Sequence, residues 1–167
     1  MVVKVSKPEI NVREKISELD YSQVPYNKMP AGSILQVNHD ALTDNGVNRT
    51  VSNTTFFGSV GVTMYSKSNN SILLINIDTV IYRPSTSGEA RVGYRYRING
   101  GDWVFENSQW KYFADAIAWR RSSATWQESF SYKLGDKIEI ESAFINTVST
   151  TNQFRTPSIT VWEINNG

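Results

Sequence analysis

The sequence predicts an all-β domain of mainly antiparallel strands, folded as a sandwich or a barrel. From Gly32 onward, apolar residues recur with a period of two, which is typical of strands with one buried face. About eight such segments follow one another, separated by gaps rich in Gly, Asn, Ser and Thr. These gaps are too short for crossover helices, so neighbouring strands should run in opposite directions. A chain of 167 residues, 40% of them hydrophobic, is large enough for one core.

The first segment, KPEINVREKISELD (residues 7–20), has a helical rather than a strand pattern. Val12, Ile16 and Leu19 recur at i, i+4 and i+7 and form a narrow apolar stripe. A helix this short is marginal alone in water, since isolated helices need about 12–15 residues. The stripe should therefore pack either on its own domain or, through the Pro-containing stretch that follows, on another protein.

The clearest strand is ARVGYRYRI, residues 90–98, which alternates strictly between apolar residues and arginines. Asn99-Gly100 follows it and predicts a tight hairpin turn, with DWVFE as the returning strand. The other predicted strands are MPAGSILQV, TFFGSVGVTMY, SILLINIDTVIYR, residues 126–134, KIEIESAFI and SITVWEI.

The strand at residues 72–83 is apolar on both faces, which is typical of a strand covered on both sides. One face carries Leu73, Ile75, Ile77 and Ile81, and the other carries Ile72, Leu74 and Val80 together with Asn76 and Asp78. In a domain of two sheets, the second cover can come from a partner subunit. The alternative is an ordinary strand whose outer face is partly solvated.

Residues 107–123, NSQWKYFADAIAWRRSS, do not follow the strand pattern. Their apolar residues have near-helical spacing, so the segment is predicted to be a long loop or a short helix. Packing against one end of the core is favoured over a functional role, because Trp-rich helical stripes are usually buried.

The residues that carry chemistry do not assemble into a recognisable active site. The net charge is +1, there is no cysteine, and His39 is the only histidine, so nucleic-acid binding, disulfides and a His-rich metal site are not predicted. Asp40, Asp44 and Asn45 could hold Ca²⁺, but they lack EF-hand spacing. Glu139 and Glu141 share a strand face, as glycosidase acids might, yet a solvated face looks the same. We therefore expect no enzyme activity, no cofactor and no metal.

Two features of the chain argue against a secreted or membrane-inserted protein. The N-terminus lacks the apolar stretch of a signal peptide. No run approaches the roughly 18 apolar residues of a membrane span. The row formed by Arg91, Arg95 and Arg97 is expected to be a solvated strand face, although it could contact anionic sugars.

Three segments in order then carry a family resemblance: Pro30 to Val37 (PAGSILQV), Ser71 to Ile75 (SILLI) and Ser158 to Ile164 (SITVWEI). With the aromatic stretch SFSYKLGDKIEI between them, they resemble a domain of bacteriophage tail fibres and related virion appendages. The resemblance covers about residues 30–165 and is weakest in the Trp-rich segment 103–126. It implies a jelly roll similar to complement C1q and tumour necrosis factor heads, usually a homotrimer.

The opening segment also resembles the N-termini of short phage structural proteins, which implies a virion-docking role for Val12, Ile16 and Leu19. The expected organisation is a docking segment and linker at 1–29 and a jelly-roll head at 30–167. The expected protein is a short tail fibre or appendage, assembled in the cytoplasm of the host bacterium and carried on the virion. Its partners would be copies of itself, other virion proteins, and a glycan or protein of the host surface.

The candidate receptor-binding residues are Trp110, Tyr112, Arg120 and Arg121, because aromatic rings stack on sugars and arginines donate hydrogen bonds. Trp103, Trp119 and Trp126 complete the aromatic pool, with a core position favoured for Trp103 and Trp126. The alternatives are a capsid decoration, head-fibre, collar or nozzle protein without a receptor, a polysaccharide depolymerase, and a secreted bacterial lectin.

Overall fold

The computed structural model describes residues 26–42, 49–51, 55–82, 90–105, 111–113, 119–146 and 152–167. A single 3-10 turn, Tyr26–Lys28, precedes nine strands within these ranges. The strands are β1 (Ile34–Ala41), β2 (Arg49–Val51), β3 (Phe56–Tyr65), β4 (Ser71–Tyr82), β5 (Ala90–Ile98), β6 (Lys111–Phe113), β7 (Trp119–Glu128), β8 (Lys137–Asn146) and β9 (Asn152–Asn165).

The strands form two antiparallel sheets that pack face to face. Sheet A has the order β1-β9-β4-β7, with β2 also paired to β9, and sheet B has the order β3-β8-β5-β6. Among the described strands, β1 and β2 both belong to sheet A and β5 and β6 both belong to sheet B, and every other pair of successive strands passes between the sheets, as in a jelly roll. The predicted all-β, antiparallel jelly-roll sandwich is confirmed.

The core lies between the sheets and is built from alternate residues of the long strands. Leu73, Ile75 and Ile77 of β4 are fully buried, as the period of two predicts. Trp126 of β7 is also buried and packs edge-on against Tyr94 of β5, with ring centroids 5.3 Å apart. Such pairs contribute about 0.5–1.5 kcal/mol beyond their buried area. The core position predicted for Trp126 is confirmed.

The segment predicted to be a loop or helix, residues 107–123, is strand where the structure describes it. Residues 111–113 form β6 and residues 119–123 belong to β7, whereas residues 107–110 and 114–118, with most of the near-helical pattern, lie outside the described residues. β7 gains ten partners along β4, from Leu73↔Glu128 to Tyr82↔Trp119. The predicted strand at 126–134 accordingly contributes only its first three residues to a strand.

The hairpin after β5 is confirmed at its turn but not in its second strand. Asn99 and Gly100 have φ values of 51° and 72°, the left-handed conformation that favours these two residue types. In the returning DWVFE segment, only Val104 pairs, as an isolated bridge to Tyr96.

The last strand is longer than predicted. β9 begins at Asn152 and continues through Pro157, where Thr156 has a φ of 42° and the register with β4 shifts between Asp78 and Val80. Such an irregularity accommodates a proline, which has no N–H for the ladder. Within the part of the chain that the structure describes, no helix is long and apolar enough to cross a lipid bilayer.

Candidate functional site

Three of the four predicted receptor-binding residues belong to described strands, two on β7 and one on β6. Arg121 lies on β7, with its side chain 77% exposed, and its guanidinium donates hydrogen bonds of 3.1 and 2.8 Å to Asp78 Oδ2. Arg120 is its neighbour in the strand and is registered with Ile81. Tyr112 belongs to β6 in sheet B and is registered with Arg91.

Both strands lie at the edge of their sheets, on the flank away from β1 and β3. The side chains of Tyr112 and Arg120 lie outside the described part of the structure, as does all of Trp110. The predicted docking residues Val12, Ile16 and Leu19 also lie outside it. The receptor-binding and docking predictions therefore stay predictions, with Arg121 as the member whose surroundings are defined.

Two arginines of the basic row of β5 are paired with the acidic residues of β8. Arg95 Nη2 lies 2.6 Å from Glu141 Oε2, and Arg97 pairs with both oxygens of Glu139 at 2.9 Å each. The hydrogen bond from Arg97, with a further contribution from Lys137, holds the pKa of Glu139 below its ordinary value. A glycosidase acid needs a raised pKa, so this pairing does not suit Glu139 to that role.

Aromatic rings cover the same arginines. The guanidinium of Arg95 lies 4.3 Å from the ring centroid of Phe57 and 4.2 Å from that of Trp103, and Arg97 lies 4.6 Å from the latter. Trp103 is thus half-buried on the outside of sheet B, not in the core as predicted.

The outer face of sheet A, which points away from sheet B, is organised in rows across the strands. Two apolar rows lie at one end, and three more polar rows follow. The rows are Ile34–Ile164–Ile72, Val37–Trp162–Leu74–Gln127, His39–Thr160–Asn76–Thr125, Ala41–Ser158–Asp78–Ser123 and Arg155–Val80–Arg121. Ile34 and Val37 are 55% and 51% exposed, and the others of the two apolar rows are partly exposed.

The polar rows of this face are tied together by side-chain hydrogen bonds. Asn76 Nδ2 donates to Ser123 Oγ at 2.8 Å and to Thr125 Oγ1 at 2.9 Å. His39 Nδ1 lies 2.9 Å from Thr160 Oγ1. The outer side of β4 is therefore partly solvated, as the alternative of an ordinary strand with a partly solvated outer face predicts. No described residue covers its apolar end.

A buried carboxylate joins the segments that carry the family resemblance. Glu163 is fully buried and accepts hydrogen bonds from Gln36 Nε2 at 2.5 Å, Ser66 Oγ at 3.1 Å and Ser71 Oγ at 2.7 Å. The backbone N–H of Lys67 lies 3.0 Å from both of its oxygens. Gln36, Ser71 and Glu163 come from the three separate motifs. These polar residues of the motifs therefore stabilise the fold.

Directly beside this network lies a cleft of about 310 Å³, lined by Tyr26, Lys67, Ser68, Asn69 and Leu134. Its aromatic wall comes from the 3-10 turn, and its polar wall comes from the connection between β3 and β4. Lys67 Nζ lies 5.6 Å from the centroid of the Tyr26 ring. Sequence reasoning missed this cleft because its residues belong to three loops without a motif.

The conceivable calcium loop is not assembled in the described residues. Asp40 Oδ2 accepts a hydrogen bond of 2.9 Å from the backbone N–H of Gly61, and Asp44 and Asn45 lie outside the described part of the chain. Among the residues the structure describes, no group of three or more His, Cys, Asp or Glu could hold a metal ion.

No known family model and no curated protein matches the chain. Three solved structures are similar at low identity. Dimeric latent PorU from Porphyromonas gingivalis has a TM-score of 0.46 at 9% identity, with 81% of this chain and 14% of that one covered. A structure of the infectious bursal disease virus Gx strain has a TM-score of 0.34 at 14% identity, with 81% and 35% covered.

The CBM22-1 xylan-binding domain from Paenibacillus barcinonensis Xyn10C has a TM-score of 0.28 at 11% identity, with 83% of this chain and 99% of that one covered. The chain thus spans only a small part of the first two proteins. These likenesses are too distant to carry a functional argument, and the chain is described by its own geometry as a jelly-roll sandwich.

Proposed function

We propose that this protein is a bacteriophage virion component, a short tail fibre or appendage whose jelly-roll head assembles with copies of itself and contacts a host-surface glycan. The observation that carries the proposal is the outer face of sheet A, with two uncovered apolar rows beside three more polar ones. A contiguous exposed apolar patch on a domain of this size marks an interaction surface. The assignment to a virion rests on the resemblance of the sequence to phage appendage domains.

The dimensions of this face suit contact between copies of the chain. Four strands about 4.8 Å apart and five rows about 7 Å apart make a face of roughly 20 by 30 Å. That approaches the roughly 800 Å² of accessible surface that each partner contributes to a standard stable interface. Ile34 and Val37 at one end would supply the apolar contact, and the hydrogen-bonded rows of Asn76 and Asp78 would form a polar rim.

Self-assembly also gives adhesion its strength. A homotrimer presents three copies of a weak glycan site, and the second and third contacts form at a high effective concentration. Residues 1–29, with Val12, Ile16 and Leu19, would attach the assembly to its virion partners. The flank of β6 and β7 would face the host, with Arg121 on the edge strand β7, in the row farthest from the apolar contact between copies.

Three experiments on the complete chain test the proposal. Light scattering should give a trimer mass, and labelled protein should bind host cells. A Val12→Asp, Ile16→Asp, Leu19→Asp variant should keep its circular dichroism and cell binding but no longer join particles. Incorporation of this variant at the normal level would contradict the docking role.

The capsid decoration or collar alternative gives a different result. A protein of that class would be incorporated into particles stoichiometrically yet would not bind host cells in any oligomeric state. A depolymerase would release reducing sugar from capsular polysaccharide, and the activity would disappear with Glu139→Gln or Glu141→Gln.

A further inference from the structure

The cleft beside the Glu163 network has the dimensions and chemistry of a small-ligand site. Its volume of about 310 Å³ falls at the lower end of the range for such sites, roughly 300–1,000 Å³. It lies where the 3-10 turn Tyr26–Lys28 meets the connections that follow β3 and β7. We propose that this cleft binds one acidic pyranose, a hexuronate residue of a surface polysaccharide. That the sugar belongs to a surface polysaccharide rests on the proposed function, whereas the binding of the free sugar does not.

The apolar part of the cleft suits the face of a sugar ring. Tyr26 is 38% exposed and Leu134 is 60% exposed, although both are large apolar side chains. The C–H groups on one face of a pyranose can pack on an aromatic ring, while the hydroxyls around its edge remain free to hydrogen-bond. A purely apolar ligand would not use the polar wall opposite.

The polar part of the cleft suits a carboxylate. Lys67 supplies the one charged side chain among the described lining residues, and its ammonium has no carboxylate within ion-pair distance in the described structure. The nearby carboxylate of Asp136 is occupied by Asn99 Nδ2 at 2.8 Å and by the Lys133 N–H at 2.7 Å. Lys67 is therefore the one cation among the described lining residues, and an ammonium prefers a carboxylate to a neutral hydroxyl.

The remaining lining groups can bind hydroxyls. Asn69 Oδ1 accepts a hydrogen bond of 2.7 Å from the N–H of Leu134, which leaves its Nδ2 as a donor. The Ser68 hydroxyl accepts from the N–H of Asn70 at 3.0 Å and keeps its own proton to donate. A ligand with several hydroxyls and one carboxylate matches this set of groups.

The polar wall of the cleft is fixed before any ligand arrives. The N–H of Lys67 is held by the buried Glu163 carboxylate, and Ser66 Oγ donates to the Ser68 carbonyl at 2.7 Å. The Ser66 backbone also exchanges hydrogen bonds of 2.9 Å with Asp136 and Gly135. A preorganised wall loses little conformational entropy on binding, which favours affinity for a small ligand.

The test measures binding of free sugars to the complete chain by saturation-transfer and chemical-shift NMR. D-glucuronate is the probe, D-glucose is its neutral counterpart of the same ring shape, and inorganic phosphate is the anion without a ring. We expect glucuronate to bind in the millimolar range and at least several-fold more tightly than glucose, with shifts confined to the cleft.

Variants assign the binding to the cleft. Lys67→Met removes the charge but keeps the length, and it should weaken glucuronate binding roughly tenfold while leaving glucose unchanged. Lys133→Met removes a charge from an exposed neighbour that does not line the cleft, and it should have less than a twofold effect. Tyr26→Ala should weaken both sugars. Thermal melting checks that each variant is folded.

The assignment is overturned if neither sugar binds, if glucose binds as well as glucuronate, or if Lys67→Met changes nothing. Phosphate that binds as tightly as glucuronate would identify an unspecific anion site and would also overturn it. Failure here is distinct from failure of the proposed function: a protein that trimerises and binds host cells without binding glucuronate loses only the cleft assignment.

Discussion

The hydroxyl of Ser71 donates a hydrogen bond of 2.7 Å to Oε1 of Glu163, a fully buried residue 92 positions later in the chain. Ser71 starts β4 and Glu163 is near the end of β9, so the bond fixes the register of the two central strands of sheet A. It belongs to a cluster of donors around one buried carboxylate, with no cation among them. Such a group is stabilised only while its donors stay in place.

Replacing this carboxylate should therefore be costly. Glu163→Gln replaces one carboxylate oxygen by an N–H₂ group, which cannot accept the hydrogen bonds of the surrounding donors. Buried donors left without an acceptor cost about 1–3 kcal/mol each. We expect the free energy of unfolding to fall by about 2–4 kcal/mol in urea titrations. Asp102→Asn makes the same change of charge at an exposed position and should shift stability by less than about 0.5 kcal/mol. Equal stability of the two variants would contradict the structural role of Glu163.

Two tryptophans should differ in their effect on stability. Trp126 is buried in the core against Tyr94, so Trp126→Ala should cost about 3–5 kcal/mol. Trp103 contacts Arg95 and Arg97 outside sheet B, so Trp103→Ala should cost about 1–2 kcal/mol. Chemical denaturation followed by circular dichroism measures both. A larger loss for Trp103 would show that it belongs to the core after all.

Self-association should depend on the apolar end of sheet A. Val37→Glu adds a charge at the exposed β1 end of the apolar rows, and we expect the mass measured by light scattering to fall to that of a monomer while the fold is retained. Thr63→Glu places the same side chain at an exposed position of β3 in sheet B and should leave the mass unchanged. A trimer that tolerates Val37→Glu would have to use another surface.

The free energy of unfolding should fall at acid pH, because the pKa values of two carboxyl groups are lowered in the folded protein. The hydrogen bond from Arg97 lowers the pKa of Glu139, and the hydrogen bond from Asn99 lowers the pKa of Asp136. Since both groups titrate lower when folded, their contribution is complete above their unfolded pKa values, about 4–4.5. It is lost as the pH falls from about 5 through the folded values. Arg97→Met should flatten the dependence of the melting temperature on pH between about 5 and 2, whereas an unchanged slope would contradict the role of the Arg97–Glu139 pair.

Strict alternation made some elements predictable from sequence alone. Residues 90–98 form β5 with the predicted bounds, and Asn99-Gly100 forms the predicted turn, because both signals are local. The DWVFE segment was predicted wrongly as a strand because its aromatic residues are used elsewhere. Trp103 lies against arginines, and Phe105 packs edge-on against Phe57 at 5.2 Å.

Long-range partners account for what the sequence could not predict. Glu163 occupies an inward position of β9, where alternation alone predicts an apolar residue, and its donors come from loops and strands far away in the chain. The Tyr26 cleft is likewise assembled from three connections. In the segment 107–123, the described residues 111–113 and 119–123 pair with β5 and β4, partners that the local sequence pattern does not reveal.

The central place of β9 in sheet A also has a kinetic consequence. β9 pairs with both β1 and β4, and contacts such as Gln36–Glu163 join residues 127 positions apart. A nascent chain without β9 would leave one edge of each partner strand unpaired and the core open. Folding of the domain should therefore be slow and should wait until β9 has been synthesised, as is usual for sandwiches of high contact order. Incomplete chains would be exposed to proteolysis before they could join an assembly.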